Sequence, residues 1–348
     1  MERDLTLSES ESLLLDEALR LAKHLGLENV ADLDVRDDRA SWQILANGGF
    51  LGLAEPDENG GRTASAVDIG LIAEAFGQHL VPLPFLGSVL ATELLRHAGV
   101  APKVVVPVVS GQRRLAVGLN TALTSLATLE DEDALVAFDA AGADGVLALR
   151  SQDVPLLSIV QFRGVAMPMQ LDLTRQTQVI RVESSIEMQD DLGEIQEPAL
   201  ARWTAFALSL VCADLVGVMQ GALNLAVQYS KIREQFGVPI GSFQSIQHLC
   251  AEQHVNVEAS RALSRYACWA ADNREVDQAL LAARTAKAYC SSAARTVCEA
   301  AIQVHGGMGI TWDCMAHVFL KRALLDREIL GNENWQLPVV GRLRRGAT

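Results

Sequence analysis

The chain has 348 residues, 49% of them hydrophobic, which is enough for two or three packed cores and too much for a disordered protein. Only 5% are aromatic, while Ala and Leu crowd the second half, a balance that favours long helices over a sheet-rich fold. A formal net charge of −14 repels phosphate backbones, so a nucleic-acid partner is not expected.

Residues 1–16 are acidic and lack a basic flank with an apolar core, and no stretch reaches the ~20 apolar residues of a membrane span, so a cytoplasmic protein is expected. Leu13, Leu14, Ala18, Leu21 and Leu25 recur at helical spacing, with Gly26 closing the helix. Gly60 and Gly61 break the next segment. Val67, Leu71, Ile72, Ala75 and Phe76 predict a second helix, Pro82 and Pro84 interrupt, and Val89 to Ala98 predicts a third.

Between Lys103 and Ser185 the texture changes to short runs bounded by turn residues: Arg114 to Leu119, Ala134 to Phe138, Gly145 to Leu149, Ser158 to Phe162 and Gln178 to Glu183. This predicts a small β domain, followed by an acidic connector from Asp190 to Glu197. From Ala199 to Ile232 the pattern is apolar all round, as in a helix inside a bundle. Helices over Gln244 to Asn273, Val276 to Val304 and about Ala316 to Leu330 complete a four-helix bundle. The expected fold is mainly α with a small β domain: a helical unit over residues 1–101, a β domain over 102–190 and a bundle over 191–348. The six cysteines form no CxxC pair and lie in these apolar helices, as buried free thiols of a reducing compartment would. Lys321, Arg322, Arg342, Arg344 and Arg345 are diluted by Asp326, Glu328 and Glu333 and read as a solvated helix end.

Two segments carry chemistry. Lys231 to His248, KIREQFGVPIGSFQSIQH, breaks two apolar helices with a turn dense in Arg, Gln and Phe. Its composition alone fits any helix hairpin. It also fits a cofactor surface, on which Arg233 presents a planar charged fork to a pyrophosphate, Phe236 and Phe243 offer faces to an adenine ring, and Gln244 adds amide hydrogen bonds. The second segment, Gln303 to Trp312, is QVHGGMGITW. A glycine after a helix is an ordinary cap, and GGMG lacks the dinucleotide-binding spacing, so what remains is a backbone that a ligand can approach closely, beside Gln303.

Taken together with the order of domains, these two motifs resemble the acyl-CoA dehydrogenase family over nearly the whole chain. The run Gly49-Phe50-Leu51-Gly52-Leu53, with Pro56, Gly60, Gly61, Glu74 and Gly77, is similar as well. The resemblance implies a flavoprotein that holds non-covalent FAD where two subunits meet. Arg233, Phe236, Phe243 and Gln244 would contact the FAD across the subunit boundary, and Gln303, Gly306 and Gly307 would hold its pyrophosphate and adenine side.

The family's reaction needs a Glu in a dry pocket to remove the α-proton as the β-hydride leaves for the flavin. Matched without gaps, the family's two base positions fall on Ala207 and Leu330 here. Glu328, two residues from the second, is turned by about 200° on a helix and is a weak candidate. The Thr-Glu, Gly-Ser-Asp and Trp-Ile-Thr-like segments of the family's β domain are also missing. The chain therefore resembles the short, base-lacking subunits of heteromeric, steroid side-chain type acyl-CoA dehydrogenases. Its expected partners are a second, base-carrying subunit, an acyl-CoA substrate and an acceptor such as electron-transfer flavoprotein. A self-sufficient homotetramer with an unrecognised base, or a structural relative without turnover, remain the competing readings.

Overall fold

The computed structural model describes residues 6–35, 38–58, 60–151, 153–162 and 171–346. Its N-terminal helices are α1 (Glu9–Leu25), α2 (Asp32–Val35), α3 (Asp38–Asn47), α4 (Ala66–Gln78), α5 (Phe85–His97) and α6 (Pro102–Val109). Serine capping boxes start two of them: Ser8 accepts from the amide of Glu11, and Ser65 from that of Asp68. The strands β1 (Leu115–Leu119), β2 (Ala134–Phe138), β3 (Gly145–Arg150), β4 (Leu156–Phe162), β5 (Gln178–Arg181) and β6 (Ile186–Glu194) form one sheet in the order β5-β2-β1-β3-β4-β6. A single turn of helix, α7 (Val182–Ser185), separates the last two. Among the described strands, only β1 and β3 pair in parallel.

Both faces of the sheet centre are buried. Val117, Leu147 and Ile159 join the core shared with the helices, while their neighbours Ala116, Val146, Ala148 and Val160 form a second cluster on the other face. The apolar runs of β1 and β3 follow from this double burial.

The remainder is helical: α8 (Glu197–Ile232), a two-strand hairpin β7 (Glu234–Gln235) and β8 (Val238–Pro239), then α9 (Gln244–Asn273), α10 (Val276–His305), α11 (Ala316–Glu328) and α12 (Glu333–Arg344). Helix α8 is the axis, packing on α4, α9, α10 and α11. By length and composition it would also cross a membrane, contrary to the sequence expectation, but 94% of its most apolar stretch is buried inside the protein. Its crossing with α4 is close enough that a Cβ at Gly217 would overlap the Glu74 carbonyl oxygen, and one at Gly77 the Asp214 carbonyl oxygen.

Two expectations need correction. Residues 190–194, expected as connector, belong to the edge strand β6. Arg322 is no solvated helix end, being 2% exposed. Its charge is compensated inside the protein, as described below.

Candidate flavin-contact site

The two motif segments meet at one end of the bundle. Tyr229, in the last turn of α8, stacks on His305, the last residue of α10, with ring centroids 4.3 Å apart and planes 24° apart. His305 is held by its Nδ1, 2.7 Å from the Ala301 carbonyl oxygen. The hairpin leaves from just beyond Tyr229 and the glycine loop from just beyond His305.

The hairpin is closed by the Arg233 amide on the Tyr229 carbonyl (2.9 Å) and the Ile240 amide on the Arg233 carbonyl (2.8 Å). At its tip Phe236 and Gly237 have φ of +54° and +78°. Two consecutive left-handed residues make the turn type that matches strand twist, yet a bulky side chain at the first of them is strained. Phe236 is also 93% exposed and touches Phe243 edge-on at 6.2 Å. An aromatic residue that is both strained and unburied does not stabilise this chain, which points to a role outside it.

Arg233, Gln244 and Gln303 are exposed, and among the described residues the Arg233 guanidinium has no acidic partner. In the glycine loop Gly306 has a φ of +61°, a conformation that demands glycine. Gly307 does not, and a Cβ there would meet nothing within 4 Å. The chain's own packing therefore leaves Gly307 unexplained, whereas close approach of a ligand to bare backbone would account for it. A free guanidinium, two free amides, an exposed ring and an open glycine backbone suit the pyrophosphate and adenine of FAD.

The base positions are different in kind. Ala207 is fully buried and Leu330 is 2% exposed, both inside the apolar core. Leu330 has a φ of +59°, in a turn pinned from several sides. Gln336 donates to its carbonyl (2.6 Å), the Gly331 amide reaches the Leu123 carbonyl (3.0 Å), and the Lys287 ammonium donates to the carbonyls of Arg327 (2.7 Å) and Gly331 (3.0 Å) and to Ser291 Oγ (3.0 Å). Glu328 has a 42% exposed side chain, paired with Arg327 and Asn332. That is a helix-end acid and not a carboxyl in a dry pocket.

Burial pushes the Lys287 amine from 10.5 down to about 8. The folded state thus binds fewer protons than the unfolded one between those values, so stability should rise with pH across that window, by on the order of 3 kcal/mol. Urea unfolding from pH 7.5 to 10 should show wild type gaining on Lys287→Met. Parallel stability curves would exclude this linkage.

Between the sheet and the bundle lies a buried ionic cluster that sequence reading missed. Arg322 on α11 makes a bidentate pair with Asp214 of α8 (3.0 and 3.1 Å) and reaches Asp326 at 3.2 Å and Thr174 Oγ1 at 2.9 Å. Arg175 is within 3.4 Å of Asp214 and 3.2 Å of Asp326, and approaches Asp139 at 3.8 Å. Asp172 lies 3.7 Å from Arg322. Burial tends to raise all four carboxyls. Asp214, which both guanidiniums reach, is nevertheless held well below the usual range, while Asp326, Asp139 and Asp172 stay raised. The signal was Asp214 itself, a lone acid in the middle of an apolar helix, which requires a buried cation.

Over 332 residues the chain is 31% identical to the acyl-CoA dehydrogenase IpdE2 of Mycobacterium tuberculosis, an alignment covering 91% of this chain and 95% of that protein. The chain belongs to the acyl-CoA dehydrogenase family. The family's C-terminal domain is matched over residues 208–343 of this acyl-CoA dehydrogenase, the stretch that carries both motifs. It is also 29% identical to IpdE2 of Mycolicibacterium smegmatis, over 95% of this chain and 97% of that one. Among solved structures, the fold is shared with the Tcur3481-Tcur3483 steroid ACAD (TM-score 0.82, 24% identity, 98% and 99% coverage). It is shared too with the ChsE4-ChsE5 complex from Mycobacterium tuberculosis (TM-score 0.81, 23% identity, 99% of each chain). As an acyl-CoA dehydrogenase it is an FAD-dependent oxidoreductase of acyl-CoA thioesters.

Proposed function

We propose that this acyl-CoA dehydrogenase is the base-lacking subunit of a two-chain enzyme. The observation that carries the reading is the contrast between its two candidate centres. Where the family places its catalytic Glu, this chain has buried apolar core at Ala207 and Leu330, whereas the residues matched to flavin contacts stand exposed at one end of the bundle. Two of the structures with the same fold, Tcur3481-Tcur3483 and ChsE4-ChsE5, are of paired proteins, and the first is described as a steroid ACAD. The substrate class proposed here is accordingly an acyl-CoA of a fatty acid or a steroid side chain, oxidised in a cytoplasmic heterotetramer that passes its electrons to an electron-transfer flavoprotein or similar acceptor.

Bound FAD supplies the acceptor for the β-hydride. This chain's part is to hold it. Arg233 would neutralise the pyrophosphate, Phe236 and Phe243 would offer their faces to the adenine, and Gln244, Gln303 and the Gly306-Gly307 backbone would supply hydrogen bonds. The α-proton is taken by a carboxylate of the partner chain. Residues 191–348 would thus serve both flavin contact and assembly. The alternative of a self-sufficient enzyme rests on Glu328, whose exposure and pairing oppose it.

The assembled enzyme tests the assignment of Arg233. Charge-assisted hydrogen bonds contribute about 1.5–3 kcal/mol, so Arg233→Ala should weaken FAD retention by about 10- to 100-fold. The melting temperature of the apo chain should hardly change, because the guanidinium makes no ion pair among the described residues. Arg233→Lys should rescue only part, since the fork is lost. Wild-type flavin occupancy in both variants would make Arg233 a bystander.

A further inference from the structure

Far from the flavin-contact end, at the start of α8, a cleft of about 170 Å³ is lined by Arg62, Glu93, Arg96, His97, Arg202 and Asp272. It lies where the C-terminal end of α5 meets α8 and the end of α9. Arg202 is thirty residues from Ile232 on one continuous helix, which places the cleft about 45 Å from the hairpin.

The acids around the cleft are committed to two of its three guanidiniums. Glu93, its side chain 1% exposed, accepts from Arg62 Nη1 (2.6 Å) and takes two bonds from Arg96 (2.7 and 2.8 Å), with His97 Nε2 at 3.2 Å. Asp272 pairs with Arg62 and also accepts the Ala66 amide at 2.7 Å. Both carboxylates are thus committed to Arg62 and Arg96. Among the described residues Arg202 has no acidic partner, and its side-chain hydrogen bond is a long one, 3.3 Å, to the Arg274 carbonyl. Asp57 adds its charge to Arg96, so the acids serve Arg62 and Arg96 and Arg202 is the guanidinium left over.

Arg62 shows the same deficit from another side. Its side chain is 9% exposed and its guanidinium lies over the Phe206 ring at 4.3 Å, while its Nε is buried with no acceptor. Burial lowers its pKa, Glu93 opposes this, and the neighbouring Arg96 lowers it further. A cleft with an uncompensated cation, a buried donor without a partner and crowded guanidiniums is completed by one compact anion.

We propose that this cleft binds a small oxyanion, a carboxylate or a phosphate group, with Arg202 as its principal cation. The ligand bridges the N-terminal helices to the bundle, tying α5 to α8 and α9. Neither the flavin nor the heteromeric reading is needed for this inference, and the two fail independently.

The test uses the full chain at constant ionic strength in chloride. Inorganic phosphate in one arm and acetate or succinate in another are followed by thermal shift and titration calorimetry. The expected result is a saturable rise in melting temperature in at least one arm, which identifies the preferred oxyanion. Arg202→Gln should weaken that binding at least tenfold and Arg202→Lys less, with flavin retention by the assembled enzyme unchanged in both. A rise that tracks salt without saturating, or equal affinity in Arg202→Gln, would show a clamp of ion pairs with no ligand. Loss of flavin along with the anion in Arg202→Lys would overturn the assignment of a separate site.

Discussion

Purified alone, the chain is expected to reduce an electron acceptor with acyl-CoA about 10²- to 10⁴-fold more slowly than when assembled with a longer family member that keeps its Glu. The ground is the burial of Ala207 and Leu330 in apolar core, at the positions matched to the family's base, so that under the two-chain proposal the α-proton is left to the partner's carboxylate. Flavin content should fall below one per chain in the assembly, because only interfaces that combine both kinds of chain are complete. Installing the missing acid does not bypass the partner: Ala207→Glu places an unpaired carboxyl in a fully buried site and should unfold the chain before it confers activity. Turnover by the homogeneous lone chain at the rate of the assembly would refute the two-chain reading and return Glu328 to consideration.

The second large effect is on stability. Arg322→Met removes the cation shared by Asp214 and Asp326 and leaves buried carboxyls facing Arg175 alone, so unfolding free energy should drop by about 3–5 kcal/mol. The drop should be larger at pH 8 than at pH 5. In the variant Asp214 loses its stronger partner and its folded pKa moves above the unfolded one, and stability from such a group is present at low pH and lost as pH rises. Adding Asp214→Asn should recover part of the loss. Chemical denaturation of the three proteins at both pH values checks this. Equal losses for the single and double variants would mean that the pair contributes only through packing.

The parts legible in the sequence were those with strong periodicity or rare composition. Helix α9 and strand β2 fall on the residues the patterns predicted, and α8 announced its burial by being apolar all round. The two motif segments were legible only together, through their resemblance to one family, because by composition alone the first fits any helix hairpin and the second an ordinary glycine cap. What chain order could not show is that Tyr229 and His305 bring the segments to one end. Strand β6 was missed because an exposed edge carries acids such as Glu187, Asp190 and Asp191 where a buried strand would alternate apolar residues. Helix α12 was missed because Pro338 breaks its pattern and its apolar Trp335 and Leu337 remain exposed. Arg322 was misread because local composition cannot show that an arginine beside Lys321 points at an acid 108 residues earlier.

The ionic cluster also bears on how such a chain changes over generations. Four acids and two arginines drawn from α8, α11, the turn after β2 and the segment before β5 share one dry site. Loss of any one member strands its neighbours' charge, so the cost of a first substitution is high even where a fully apolar replacement would be as stable. Mutational paths out of this arrangement must cross a valley, and epistasis would preserve the cluster in descendants long after any advantage that first selected it.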